Sequence, residues 1–528
     1  MRAISLIVLC AVVFHSAVVS EKLQVVRVED KNFWYEEGKA RIRNQKEKKR
    51  IINRAKNVIV FIGDGMGLTT VTASRIYQGQ LNGETGEENY NSYDLFPDVG
   101  LVKTYNTDRQ VPDSAGTATA LFCGVKTKYS TIGVDDTVTT SECDPEIYEG
   151  AKVDSILKWA QDAGKLTGLV TTTRITHATP SAAYAHVMDR DWECDGEIPE
   201  QYRGCLKDIA VQLVEDSPGK DLNVIFGGGR QQLGFGNGDS SCERTDDRNL
   251  TTEWEQLRVE EGVSHRFVTT RGEMEELQDE KKVLGLFSYG HMPYDLERET
   301  GPEGPPSLVN MTVKAIRLLQ KAENGFVLIV EGGRIDHAHH DNYARLALTE
   351  AVRFNEAVAA AVQLTDSDNT LIVVTADHSH SLTMNGYPDR GNSILDFAYD
   401  ESDEGLIYET LTYANGPGYN THRKEGPIEA EESLWKDVTQ MNRNEPRYRH
   451  FAPIYKDLET HGGEDVAIYA SGPFSHLFNG VFEQSYIAHV ISCAGNFGPS
   501  ADLCNSSISV KSASFLVMFM SFLVKTLI

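Results

Sequence analysis

Six short apolar runs constrain what this chain can fold into. Residues 58–62, 167–170, 223–226, 326–330, 370–374 and 466–469 are each four or five residues long and rich in β-branched or aromatic side chains. Uninterrupted runs of that length are what a strand buried on both faces of a sheet requires. Helical patterns lie between them, among them residues 153–163 and the alanine-rich stretch 343–364. Strands alternating with helices imply a three-layer α/β/α sandwich around a large, mostly parallel sheet. Residues 384–457 differ: Gly, Pro, Asn and charges dominate and periodicity fades, so this stretch reads as a small insertion. With 40% apolar and 24% charged residues, the chain buries a large core, and disorder along its whole length is excluded.

Both ends read as processing signals. Arg2, an apolar run over 3–13 and small residues before Glu21 form a secretory signal peptide, residues 1–20. Residues 515–528 are apolar except for Lys525. As a helix that tail would reach about 21 Å at ~1.5 Å per residue. The hydrocarbon core is about 30 Å thick. The small triplet Asn505-Ser506-Ser507, a polar spacer and this tail fit a glycosylphosphatidylinositol (GPI) signal, with Asn505, or else Ser506, as the attachment residue. Residues 506–528 would then be removed, leaving the protein lipid-anchored on the extracellular face of the cell membrane. Secretion also gives meaning to the glycosylation sequons at Asn249 and Asn310. Cys10 leaves with the signal, and seven cysteines remain, implying three bridges and one spare thiol, or fewer bridges. Cys493 and Cys504 are the easiest local pair, and no C-x-x-C spacing suggests a cysteine zinc site.

Acidic side chains outnumber basic ones 77 to 51, a formal charge of −26. That disfavours nucleic acid as a partner. An acidic protein can still bind an anion if it concentrates cations locally, and metal ligands collect where the apolar runs stop. Asp64 follows the first run in Gly63-Asp64-Gly65-Met66-Gly67. Glu331 ends the run at 326–330, with Asp336 and His340 shortly after, and Asp377-His378 follow the run at 370–374. Open α/β sheets bind ligands at the carboxyl ends of their strands. Asp336 and His340 share one face if their turn is helical. Each such pair alone is an ordinary turn; several strand ends carrying such ligands in one chain are not. Ser114 stands in Val111-Pro112-Asp113-Ser114-Ala115-Gly116, where Asp113 would cap a helix of small residues whose free amides could hold an anion. No Gly-x-Ser-x-Gly elbow surrounds it.

The segments Val111 to Ala120, Val330-Glu331-Gly-Gly-Arg-Ile-Asp-His-Ala-His-His340, Thr375-Ala-Asp-His-Ser-His380 and Glu459-Thr-His-Gly-Gly-Glu-Asp-Val466 resemble the signatures of alkaline phosphatases, most closely the animal, membrane-anchored type. The resemblance runs from about Asn57 to Cys504 and makes 21–505 the catalytic domain, with 384–457 as the family's variable crown-like region. It implies a hydrolase that splits phosphate monoesters into an alcohol and inorganic phosphate through a phosphoserine at Ser114. It implies one zinc on Asp336, His340 and His461, a second on Asp64, Asp377 and His378, and a magnesium on Asp64, Thr179 and Glu331. His177 and His337 would stand behind these ligands, and His380 would support the second zinc indirectly. Arg190 would clamp two phosphate oxygens, so the alcohol half is loosely specified and small monoesters of many kinds are expected as substrates. A homodimer is usual for the family, and the pairings taken with the resemblance are Cys143–Cys205 and Cys194–Cys242 beside Cys493–Cys504. Ser288 stands where vertebrate relatives carry a calcium-binding Glu, so no calcium is assigned. Sulfatases lack support because no Cys/Ser-x-Pro-x-Arg setting surrounds Ser114. Phosphodiesterases usually use Thr and lack the third-metal residues. An inactive surface protein would have lost the nucleophile or a ligand, and none is missing.

Overall fold

The computed structural model describes residues 29–505, apart from 236–241, 243, 404 and 427–432. The signal peptide, Ser506 and the tail to 528 lie outside the described residues. Among the described residues, no helix is long and apolar enough to cross a membrane. Among the described residues, those before Arg50 form a unit of their own. Its helix, Lys31–Glu47, is capped by Asp30 and buries no residue.

From Arg50 onward the chain builds a ten-stranded sheet: β1 (Asn57–Gly63), β2 (Asp98–Lys103), β3 (Leu166–Arg174), β4 (Val224–Gly228), β5 (His265–Val268), β6 (Lys282–Leu286), β7 (Phe326–Gly332), β8 (Thr370–Ala376), β9 (Val466–Ser471) and β10 (Gly480–Glu483). Their spatial order is β10-β2-β9-β8-β1-β7-β3-β4-β6-β5. Only β9 runs antiparallel to its neighbours, so the sheet is mostly parallel. Helices pack against it, Leu308–Leu319 and Ile156–Asp162 on β3 and β7, and Tyr486–Gly495 on β1. The buried core follows the apolar runs: Val58 to Ile62 and Phe326 to Val330 are almost wholly excluded from solvent. Burial of this kind is worth roughly 25 cal/mol per Å² of apolar surface.

Three helices carry the site. α1 (Ser114–Cys123) starts at the Asp113 cap and ends at Gly124, which sits in the left-handed region. α2 (Arg334–His340) follows β7 directly, and α3 (Ala344–Leu364) buries its apolar face behind it. The stretch 384–457 pairs Leu411–Tyr413 with Leu382–Met384 at its entrance, and holds the strand pair Phe397–Glu401 with Ile407–Glu409 and the helix Gly418–His422. Leu382, Ile394, Leu411, Tyr413 and Ala452 make a small core on Ala73, Ile76, Ala344 and Leu348. Disulfides join Cys143–Cys205, Cys194–Cys242 and Cys493–Cys504, and Cys123 is a buried free thiol.

Candidate active site

β8, β1, β7 and β3 are consecutive in the sheet, and a ligand-type side chain leaves the carboxyl end of each. In register, Gly63 lies beside Ala376 and Ile62 beside Glu331, so Asp64, Asp377 and Glu331 emerge together. The turn after β1 requires glycine: Gly65 has φ +66°, and a Cβ there would lie 2.4 Å from the His380 ring. Its amide donates to Asp377 Oδ1 at 3.0 Å.

The first set forms on α2. Asp336 and His340 sit one turn apart, with His340 Nε2 3.3 Å from Asp336 Oδ2. His461 arrives on the strand pair His461–Gly462 with Ser379–His380, its Nε2 3.4 Å from Asp336 Oδ1. His340 Nδ1 is bonded to the Glu459 carbonyl at 2.5 Å and His461 Nδ1 to the Pro112 carbonyl at 2.7 Å. A carbonyl only accepts, so both rings carry hydrogen on Nδ1 and turn Nε2 towards Asp336. Those two Nε2 atoms face each other at 3.2 Å. Two imidazole nitrogens and a carboxylate thus converge on one point, the donor set a cation such as zinc takes.

Around Ser114 the same logic repeats. His378 Nδ1 donates to the Ser379 carbonyl at 3.2 Å, leaving Nε2 as a lone pair. That atom is 3.1 Å from Ser114 Oγ, 3.2 Å from Asp377 Oδ2 and 3.6 Å from Asp64 Oδ1. Ser114 Oγ also lies 3.4 Å from Asp64 Oδ1. In the third set, Asp64 Oδ2, Glu331 Oε1 and Thr179 Oγ1 are buried without a hydrogen-bond partner. Three orphaned oxygens at a β-strand end fit a hard cation such as magnesium.

Electrostatics agree with this reading. Burial pushes Asp64 well above the carboxylate range, and Asp377, Asp336 and Glu331 push further. Burial, with Asp336 beside it, also raises Asp377. Glu331 is pushed up to about 7, chiefly by burial, against the hydrogen bond from Thr171. Asp336 is the exception: burial would raise it, but His340 and His380 hold it well below the usual range. Carboxylates this crowded are relieved by bound cations.

His380 takes a different place from the one the sequence implies. Its Nε2 lies 2.5 Å from Asp336 Oδ1 and its Nδ1 2.5 Å from Glu459 Oε2, so it braces the first set, not the second. With carboxylates at both nitrogens, both carry hydrogens. Burial would lower its pKa, yet Glu459 and Asp336 raise it to about 10. Two of the amides at the start of α1 are already engaged. The amides of Ala115 and Gly116 already donate to Asp113, because capping the helix uses them first. Arg190 stands beside this helix start: it is four-fifths buried, donates to Asp113 Oδ2 at 3.2 Å, and leans on His177 Nε2 at 3.1 Å.

His177 and His337 meet a third imidazole, His291, with ring centroids 4.2 to 5.3 Å apart. Each ring contacts a guanidinium, Arg190, Arg334 and Arg174 respectively. Three cations around three imidazoles make this cluster a poor place for a further metal ion. His291, in the loop after β6, has no periodic or motif signal in the sequence, and Glu459 stands in the signature segment that carries His461 but without a role assigned to it. The remaining residues lie elsewhere. Asn249 caps the helix Leu250–Glu260, Asn310 is exposed beside Ser307, and Asn505 accepts a hydrogen bond from Arg54 at 2.6 Å.

Imidazole lone pairs and carboxylates converging at the strand ends, beside a buried serine and an arginine, define a metal-binding hydrolase. The family profile described as alkaline phosphatase matches residues 55–497. Alkaline phosphatase 4 of Drosophila melanogaster is 46% identical over 506 residues, covering 90% of this chain and 84% of that one. The human tissue-nonspecific alkaline phosphatase isozyme is 43% identical over 499 residues, covering 92% of each. The fold is also that of the Thermus thermophilus alkaline phosphatase structure, with TM-score 0.61 and 22% identity over 85% of this chain and 93% of that one. The chain belongs to the alkaline phosphatase family and is a phosphatase, a hydrolase.

Proposed function

We propose that the chain hydrolyses phosphate monoesters with Ser114 as its nucleophile, on two zincs and one magnesium. Asp336, His340 and His461 would hold the first zinc; Asp64, Asp377 and His378 the second; Asp64, Thr179 and Glu331 the magnesium. Bound there, the cations would neutralise developing negative charge on the attacking and leaving oxygens and on the phosphoryl group. Arg190 presents a planar fork, held by Asp113, to two non-bridging oxygens. Ser114 Oγ attacks phosphorus in line, its proton passes to solvent, and the ester oxygen departs as the alcohol with a proton from water. Water then attacks the phosphoserine, releasing inorganic phosphate and restoring the hydroxyl. Few side chains of this set would touch the alcohol, which supports broad alcohol specificity.

The observation that carries this reading is the cluster of Nε2 lone pairs facing carboxylates 3.2 to 3.6 Å away, beside a buried serine. Ser114→Ala should lose most turnover of a phosphate monoester while keeping its zinc. Acid-quenching with labelled phosphate should leave the label on Ser114; label on another residue would sink the assignment. The sequence also supports a secreted protein of residues 21–505, anchored through Asn505, or Ser506, on the outer face of the cell membrane and working as a homodimer. Phosphatidylinositol-specific phospholipase should release active enzyme, and retention of residues 515–528 in the mature chain would refute the anchor.

A further inference from the structure

Glu459 meets the first metal set at His340 directly and at Asp336 through His380. Its backbone clamps His340 twice: its amide donates to the His340 carbonyl at 2.8 Å, and its carbonyl accepts from His340 Nδ1 at 2.5 Å. Its side chain reaches the other ligand of α2 through an intermediary. Oε2 takes His380 Nδ1 at 2.5 Å, and His380 Nε2 in turn lies 2.5 Å from Asp336 Oδ1. Oε1 is fixed by the Ser381 amide at 2.7 Å and by the Ser381 hydroxyl, so the carboxylate cannot rotate away. The third ligand, His461, is two residues along the same strand-forming segment, paired to the segment that carries His380. Glu459 is 1% exposed, so water does not compete for these bonds.

We propose that Glu459 is the positioning residue of the first zinc, fixing His340 by its backbone and Asp336 through His380. The inference rests on the zinc reading above and adds a division of labour to it. The backbone clamp survives any substitution at 459 except proline, whereas the path from carboxylate to His380 to Asp336 depends on the side chain alone. A loss there should loosen one ligand of one metal and leave the second set and Arg190 undisturbed. Outer hydrogen bonds of this kind are worth roughly 10- to 100-fold in metal affinity or activity.

The test uses the whole enzyme. Wild type, Glu459→Gln and Glu459→Asp are loaded with zinc, dialysed against a graded chelator and analysed for zinc per chain; cobalt-loaded samples supply a ligand-field spectrum. Glu459→Gln should release one zinc about tenfold more readily than wild type while keeping the other. Its cobalt absorption should change in one component, and kcat should fall while KM moves less than about twofold. Glu459→Asp keeps the charge and should recover part of the zinc retention. If Glu459→Gln melts with wild type, holds both zincs equally and shows an unchanged cobalt spectrum, the proposal is overturned and the zinc reading stands. A wild type that takes up no zinc overturns both. If Glu459→Gln fails to fold, Glu459→Asp decides: easier release of one zinc with the other retained supports the proposal, and retention of both zincs equal to wild type, or loss of both together, overturns it.

Discussion

A serine hydroxyl 3.1 Å from an imidazole nitrogen invites reading as a nucleophile with its general base, and the far side of the ring argues against that. In a serine–histidine–acid triad a carboxylate accepts from the remote nitrogen and stabilises the charged ring. Here the remote nitrogen of His378 meets a backbone carbonyl, while the carboxylates crowd the same nitrogen that faces the serine. Burial, and then His461, hold the His378 pKa well below its usual value, so the ring stays neutral and offers a lone pair, not a proton sink. That is a ligand's environment. The third set allows a residue-scale prediction, because Thr179 supplies one neutral oxygen beside two acids. Thr179→Ala should lower magnesium occupancy and the activity that added magnesium restores, with both zincs retained. Metal analysis that found magnesium unchanged and zinc lost would contradict this placement. These ligands were legible in the sequence because each stands at the end of a hydrophobic run or in a recognisable segment. His291 is not, and Glu459 stands in such a segment without showing its role, since a residue that acts through another carries no pattern that reveals what it holds.

At the scale of elements, legibility followed burial. The six runs recognised in the sequence are β9, β8, β1, β7, β3 and β4, which are the contiguous centre of the sheet. The strands that escaped notice are its margins, β10 and β2 on one side and β6 and β5 on the other. A central strand is covered on both faces and must be apolar throughout, whereas β2, β5 and β10 are partly open to solvent and mix polar with apolar residues. β6 is buried but its apolar run is broken by Gly285. α3 carries a prediction of its own, since it buries Glu350. Burial raises this carboxyl to about 7, while the Asp295 amide, donating at 2.6 Å, opposes the rise. A raised folded pKa means that the native state holds a proton that the unfolded chain has already lost above its ordinary value near 4.5. Stability from this group is therefore present at pH 4 and drains away as pH rises to about 7, up to about 3 kcal/mol in all. Glu350→Gln keeps an acceptor for the Asp295 amide without the charge. Its melting temperature should exceed that of wild type at pH 8, by a margin that shrinks towards pH 5. A margin independent of pH would show that folding does not raise the pKa of Glu350.

Over the whole molecule, 77 acidic side chains against 51 basic ones make an unlikely host for a phosphate ester, and the site adds four buried carboxylates, Asp64, Glu331, Asp336 and Asp377. The fold tolerates them because a parallel sheet directs the ends of adjacent strands to one place, so ligands far apart in sequence meet where cations can serve several at once. Without cations the least costly response is protonation: Asp64 and Asp377 are raised, and Glu331 sits at about 7. Loading the site must then expel those protons, because a bound cation favours the ionised carboxylates. His378 is already neutral and has none to give. The chelated protein, titrated with zinc and magnesium at pH 7, should therefore release at least one proton per chain, and more at pH 6 than at pH 8 as Glu331 passes through its titration. Calorimetry in two buffers of different ionisation enthalpy measures the count directly, since each expelled proton adds the buffer's heat to the signal. Identical heats in both buffers at pH 7 would mean that the empty site holds its four carboxylates ionised. The relief of crowded charge would then not be what drives metal uptake.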